Sequence, residues 1–247
     1  MATDTKITSS DTRKGGKGTA LDEAFAALES YEYGGSRAAL LPIDEAVREK
    51  RQNAEERKAL EARLCAALEK DISPIAKRYV CRKLELIGSA EAVPALAYLL
   101  DDEDVSVLAR SALERIPGPE VSRALRRGLR DVDGPLKVGV IQSLGARRDP
   151  RSVRALAGLL RADDVAVAGV AAEALGRIGT VRAGRALCEF LPEAPERTVL
   201  VVADACLVCA ERLSARGRTE DARAIYEALA GSSLPKHVKV AASKTQE

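Results

Sequence analysis

The 247-residue chain has no tryptophan, two phenylalanines, one methionine and a single histidine, His237. A β-sandwich or β-barrel would need more aromatic side chains, so this scarcity argues against both folds. One histidine without neighbouring ligands also cannot form a zinc or iron site. The apolar residues are mostly Ala, Leu and Val, a composition suited to closely packed helix pairs.

Cysteine is scarce and irregularly spaced. Five cysteines, an odd number, do not define a disulfide framework. Cys206 and Cys209 form a Cys-Leu-Val-Cys motif inside an apolar helical run, where a free cysteine is commonly a small buried hydrophobe. We interpret them in that way, rather than as a redox or metal pair. The same interpretation applies to Cys65, Cys81 and Cys188.

The sequence also lacks the segments and motifs of several functional classes. No apolar run is long enough to span a bilayer, and the N-terminus has no apolar signal-peptide core, so we predict a cytoplasmic protein. Neither a phosphate-binding glycine loop nor a nucleophile motif occurs. We therefore predict no catalytic residues, no metal and no cofactor.

Leucines recur at fixed intervals through the middle of the chain. Leu175 is followed by Leu187 and Leu191, at offsets of 12 and 16 residues. The same offsets recur upstream in the sets Leu84/Leu96/Leu100, Leu113/Leu125/Leu129 and Leu144/Leu156/Leu160, and downstream in Leu213/Ile225/Leu229. A period of about 30 residues in a helical sequence is typical of a stacked solenoid. We predict an all-α fold, an α-solenoid of helix pairs with an N-terminal helical cap.

The repeat divides the chain into four predicted segments. Residues 1–18 are expected to be a disordered tail because they hold few apolar side chains. Residues 19–70 lack the leucine spacing and are predicted to be the cap. Residues 71–193 hold about four regular repeats, and residues 194–247 hold a longer helix pair and an incomplete terminal repeat. That unfinished C-terminal edge could support self-association. Between the repeats, acidic residues such as Asp102, Asp133 and Asp164 are expected to cap helix N-termini.

The repeat resembles a known family. The segment from Asp164, DVAVAGVAAEALGRIGTVRAGRALCEFL, resembles the bacterial HEAT-like repeat of the phycobilisome-lyase type. Its matching core residues are Val167, Ala171, Ala172, Ala174, Leu175, Gly176, Ile178 and Gly179. The segments ALERIPGPEVSRALRRGL and GPLKVGVIQSLGARRD resemble planctomycete-type HEAT-repeat proteins.

This resemblance implies a non-enzymatic binding platform that uses the concave surface of its second helices. The deoxyhypusine hydroxylase branch needs His-Glu pairs, which one histidine cannot supply. The alkylpurine DNA glycosylase branch relies on aromatic residues, which are scarce here. A bilin-lyase-like enzyme is a distant alternative that rests on the name of the repeat alone.

Arginines recur at fixed positions on the second helices. Arg123, Arg154 and Arg185 each lie two residues before a second-helix leucine, Arg130 and Arg161 lie five residues after it, and Arg127 lies beside them. At about 100° per residue these positions face away from the buried leucines. We call the set Arg123, Arg127, Arg130, Arg154, Arg161 and Arg185 the arginine ridge.

The ridge lies in a segment of excess positive charge, since residues 121–188 hold 13 Lys and Arg against 6 Asp and Glu. It is either a solvated helix face or a binding surface. Our favoured hypothesis is a scaffold that binds a protein with an acidic surface or tail, because guanidinium groups suit carboxylates. A nucleic-acid module that reads the phosphate backbone is the alternative.

Overall fold

The computed structural model describes residues 11–50 and 52–232, which form thirteen α-helices and no β-strand. Two compact units divide the chain between Pro117 and Gly118. Within each unit, successive helices pack as stacked pairs. The predicted fold class, an all-α solenoid of helix pairs, is confirmed.

The first unit contains six α-helices. These are α1 (Asp11–Glu29), α2 (Leu41–Lys50), α3 (Ala54–Leu68), α4 (Pro74–Ile87), α5 (Val93–Tyr98) and α6 (Ser106–Arg115). Contacts run from α1 to α2, from α2 to α3 and from α3 to α4, and α6 packs against both α4 and α5. Helix α1 includes residues 11–18, which the composition assigned to a disordered tail, while residues 1–10 lie outside the described part of the chain.

A buried carboxylate joins the cap to the first repeat. Glu61 of α3 is only 2% exposed. It accepts hydrogen bonds from the backbone N–H of Ser89 at 2.6 Å and from the Ser89 hydroxyl at 2.9 Å. Both donors lie at the turn between α4 and α5, so the charge of Glu61 is balanced by donors of the neighbouring repeat rather than by a cation.

The second unit contains seven α-helices. These are α7 (Pro119–Asp131), α8 (Gly134–Ala146), α9 (Val153–Leu159), α10 (Val165–Ile178), α11 (Val181–Phe190), α12 (Glu196–Ser214) and α13 (Thr219–Gly231). The first helices form one layer, in which α10 packs against α8 and α12. The second helices form another layer, in which α11 packs against α9 and α13.

The periodic leucines form the core of both units. Every leucine of the four periodic sets is buried, and the most exposed of them, Leu129, has 6% of its surface accessible. In the longer fifth unit Leu213, Ile225 and Leu229 are buried as well. Each such burial contributes roughly 1.5–3 kcal/mol of transfer free energy, so the repeat spacing read from the sequence marks the main stabilising positions.

Acidic residues cap some of the first helices, as the sequence predicted. Asp164 accepts hydrogen bonds from the backbone N–H groups of Ala166 and Val167 at 2.8 and 3.3 Å, and so satisfies two donors of α10. Asp102 accepts in the same way from two N–H groups just before α6. Asp133 differs, because its carboxylate forms an ion pair with Lys137 at 2.5 Å and makes no capping bond.

Two glycines let successive first helices approach closely. A Cβ atom on Gly145 of α8 would lie 2.9 Å from the Cα of Ala174 in α10. A Cβ on Gly176 of α10 would lie 2.7 Å from the carbonyl oxygen of Ala205 in α12. Both distances are too short for real carbon contacts, so each position requires glycine. The two contacts lie one repeat apart and use equivalent positions.

Residues 233–247 lie outside the described part of the chain. They include His237 and the predicted incomplete terminal repeat. Within residues 11–50 and 52–232, no helix is both long and apolar enough to cross a bilayer.

The close contact at Gly176 can be tested against a glycine of the same helix. We expect Gly176→Ala to lower the free energy of unfolding by about 1–3 kcal/mol, because the added methyl group would overlap the Ala205 carbonyl. Gly169→Ala is the control, since its nearest side-chain neighbour would lie 4.0 Å away. It should be neutral or stabilising by up to about 1 kcal/mol, through helix propensity. Urea unfolding followed by circular dichroism measures both, and equal stability of the two variants would contradict the close contact.

Candidate functional site

The second helices of the second unit place arginines on their outer faces. On α7 the side chains of Leu125 and Leu129 are buried, while Arg123, Arg127 and Arg130 are exposed. On α9 and α11 the corresponding exposed residues are Arg154 and Arg185. The helical period therefore directs apolar side chains inward and these guanidinium groups outward.

Arg161 departs from the predicted arrangement. Helix α9 ends at Leu159, so Arg161 lies in the following turn rather than on a second helix. Its guanidinium forms an ion pair with Glu193 at 2.8 Å and lies over the ring of Phe190, 5.2 Å from the centroid. These residues line part of a cavity of about 250 Å³ that also reaches Arg197 and Thr198.

The other five arginines of the ridge are uncompensated. Arg123, Arg127, Arg130, Arg154 and Arg185 have no ion pair or hydrogen bond to another described residue. Because α9 packs directly on α11, Arg154 and Arg185 lie on adjacent helices of one layer. In the next helix, α13, the equivalent Arg223 is paired with Glu227 at 2.9 Å, so the uncompensated charge does not continue there.

The fourth arginine of α7, Arg126, has a structural role. Arg126 forms an ion pair with Asp149, whose carboxylate is buried and also accepts a hydrogen bond from the Ser152 hydroxyl at 2.5 Å. Arg147, directly after α8, also contacts α7 and the residue before it. It donates to the Ser122 hydroxyl at 3.3 Å and to the Gly118 carbonyl at 2.7 Å. Helix α7 is thereby joined to the turn that precedes α9.

The thiols have the surroundings of a packed core. Cys81, Cys206 and Cys209 are fully buried, and burial raises the pKa of Cys81 and of Cys209 to about 12. Cys65 and Cys188 are half-buried. A hydrogen bond with Cys206 lowers the pKa of Cys188, a contact between α11 and α12 that the sequence did not suggest. Among the described residues, no group of three or more Cys, His, Asp or Glu is placed to hold a metal ion.

The first unit contains a polar cluster that was not predicted from the sequence. Asp44 of α2 accepts a hydrogen bond from the Tyr79 hydroxyl at 2.8 Å and contacts the Lys83 ammonium at 2.6 Å. Burial alone would raise the pKa of Asp44, but the hydrogen bonds from Lys83 and Tyr79, with the charges of Lys83 and Arg37, outweigh it and keep that pKa below its ordinary value. Burial and the neighbouring carboxylate raise the pKa of Tyr79.

The family model for HEAT repeats matches residues 61–138 and 122–205. Together the two matches span more than half of the chain. The chain belongs to the HEAT-repeat family. The predicted HEAT resemblance is thus confirmed, whereas the narrower phycobilisome-lyase and planctomycete types stay predictions.

Two solved structures are similar to this HEAT-repeat protein at low identity. The crystal structure of an engineered protein is 17% identical, with 96% of this chain and 74% of that chain covered and a TM-score of 0.40. Human deoxyhypusine hydroxylase in complex with glycerol is also 17% identical, with 96% and 97% covered and a TM-score of 0.34. At these TM-scores neither structure carries an argument about the activity of the HEAT-repeat chain. The search of curated proteins found no match.

The ion pair between Arg126 and Asp149 yields a stability prediction. We expect Asp149→Ala to lower the free energy of unfolding by about 1–3 kcal/mol, because the half-buried Arg126 and the buried Ser152 hydroxyl would both lose their partner. Asp163→Ala removes an exposed carboxylate and should change stability by less than about 0.5 kcal/mol. Thermal and urea unfolding compare the two variants. A small effect of Asp149→Ala would show that the pair does not hold α7 in place.

Proposed function

We propose that this HEAT-repeat protein is a non-enzymatic scaffold that binds another protein through the arginine ridge. The observation that carries the proposal is a set of five exposed arginines on α7, α9 and α11 without acidic partners. A guanidinium group presents donors in a fork that matches a carboxylate. The expected partner therefore offers an acidic surface or tail.

Helix α7 supports the proposal most strongly. Arg123 and Arg127 lie four residues apart, and Arg127 and Arg130 lie three apart, so their side chains are neighbours on one helix face. Like charges at these spacings destabilise a helix by a few tenths of a kcal/mol per pair. The attraction of an acidic partner to these guanidinium groups would offset this repulsion, which favours binding over a purely solvated role.

Arg161 remains a member of the proposed ridge, but it lies at the edge of the ridge. Its ion pair with Glu193 is exposed on both sides, at 57% and 61% of the two side chains. Exposed pairs of this kind contribute only about 0–1 kcal/mol, so a partner carboxylate can replace Glu193 at little cost. We therefore expect Arg161 to contribute less to binding than the five uncompensated arginines.

The surroundings of the ridge favour a protein partner over nucleic acid. Single-stranded nucleic acids are held by basic grooves that also offer aromatic side chains for base stacking. In the described part of the second unit, the aromatic residues Phe190 and Tyr226 are 3% and 2% exposed. Neither can stack on a base, so base stacking would add nothing to nucleic-acid affinity here and contacts to the phosphates would supply most of it.

The proposal predicts selective loss of a partner after charge reversal. Immobilised wild type, the ridge variant R123E/R154E/R185E and the control variant R48E/K58E/R218E are each exposed to lysate with and without nuclease. The control reverses three exposed cations on α2, on α3 and just before α13, and so makes the same change in net charge. We expect an acidic protein to be retained by wild type and control, and reduced at least about tenfold by the ridge variant.

Two results would contradict the scaffold proposal. Equal capture by the ridge and control variants would identify the arginine ridge as a solvated helix face. Capture that depends on intact nucleic acid, with a steep loss at increasing salt, would favour the nucleic-acid alternative.

A further inference from the structure

The first unit contains a small cavity with a strongly basic wall. Its volume is about 140 Å³ and it lies beside α4. Four cations line it: Arg78, Arg82 and Lys83 from α4, and Arg37 from the 3-10 turn (Arg37–Leu40) before α2. Tyr31, Tyr79 and Ile75 complete the lining. None of the residues that line the cavity belongs to the arginine ridge.

The acids near this wall compensate only part of its charge. Asp44 is shared between Lys83 at 2.6 Å and Arg37 at 3.4 Å. Arg78 donates to the backbone carbonyl of Asp104 at 2.8 Å and is 3.9 Å from the Asp104 carboxylate. Four cations thus face two carboxylates, which leaves an excess of two positive charges.

Arg82 is the cation without compensation. It is exposed and has no ion pair or hydrogen bond among the described residues. It lies four residues after Arg78, one turn along the same face of α4, where two like charges repel each other. An anion between these two guanidinium groups would remove that repulsion.

Tyr79 holds the wall in place. Its hydroxyl donates to Asp44, and lies 3.1 Å from the Leu40 carbonyl oxygen, so the ring is anchored to the segment that carries Arg37. Lys83 lies 4.7 Å and Arg37 5.9 Å from the centre of that ring, within the range of cation–π contacts. Lys83 and Arg37 are therefore positioned before any ligand arrives, which lowers the entropic cost of binding.

We propose that this cavity binds a phosphate group, either free phosphate or the phosphoryl group of a modified partner, between Arg37, Arg78 and Arg82. A phosphate dianion balances the excess of two charges and accepts hydrogen bonds from several guanidinium groups at once. The cavity has room for such a group, because its volume of about 140 Å³ is several times the roughly 30 Å³ that one water molecule occupies in the liquid. We call it the phosphate pocket.

Tyrosine fluorescence gives a direct test. The chain has no tryptophan to mask tyrosine emission, and two of its five tyrosines line the pocket. The intact protein is titrated with sodium phosphate, and with sodium chloride at matched ionic strength, while emission and melting temperature are followed. We expect a saturable change with phosphate only. A response that is equal for both salts would overturn the proposal.

Matched variants locate the site. Arg82→Gln removes an exposed cation that has no partner in the fold, so folding should be preserved; it should weaken phosphate binding at least about tenfold. Arg48→Gln removes an exposed cation of α2 outside the pocket and should leave binding unchanged. The ridge variant R123E/R154E/R185E should also bind phosphate normally, which separates this test from that of the scaffold proposal. Equal weakening by Arg82→Gln and Arg48→Gln would show non-specific ion binding and overturn the pocket.

A phosphoserine peptide and its unphosphorylated form distinguish the two sources of the group. Binding of the phosphopeptide at least about tenfold tighter than inorganic phosphate would support a modified partner as the ligand. Similar affinity for both would support free phosphate. Equal binding of the two peptides would overturn recognition of the phosphoryl group on a partner.

Discussion

The stack of the second unit depends on the close approach of its first helices. At Gly145 against Ala174, and at Gly176 against Ala205, the backbones come nearer than a methyl group allows. Dispersion contacts are gained along such a crossing because no side chain separates the helices. The buried leucines then fill the space between the layer of first helices and the layer of second helices. The exposed face of the second helices remains available for charged side chains.

The sequence was sufficient to predict the helical layers. Offsets of 12 and 16 residues bring Leu175 together with Leu187 and Leu191, and all three are buried. This worked because burial follows the helical period, and the period is a local property of the chain. The glycines of the close contacts were visible in the repeat motif, but their partners in the next helix were not. Those partners depend on how far one helix slides along another, which the spacing within one repeat does not determine.

The candidate site was only partly predictable, because side-chain partners come from different repeats. Arg126 is one of the 13 Lys and Arg of residues 121–188, and nothing in the repeat spacing shows that its charge is neutralised by Asp149 beyond the next helix. The spacing placed Arg161 on a second helix, although α9 ends two residues earlier. The cluster around Asp44 and Tyr79 was missed altogether, since its members are 35 residues apart and follow no repeat. Periodicity therefore finds residues that repeat, and overlooks sites built from residues that occur once.

Helix α10 carries both halves of the close contact, with Ala174 against α8 and Gly176 against α12. A copied repeat would consequently present matching surfaces to the copies on either side of it. The array could be lengthened by internal duplication without any redesign of its packing. Each duplication would also copy at least one arginine of the ridge, so under the proposed function the number of binding contacts would rise with the number of repeats. In such an architecture, affinity for the proposed acidic partner would change with copy number as well as with point substitution.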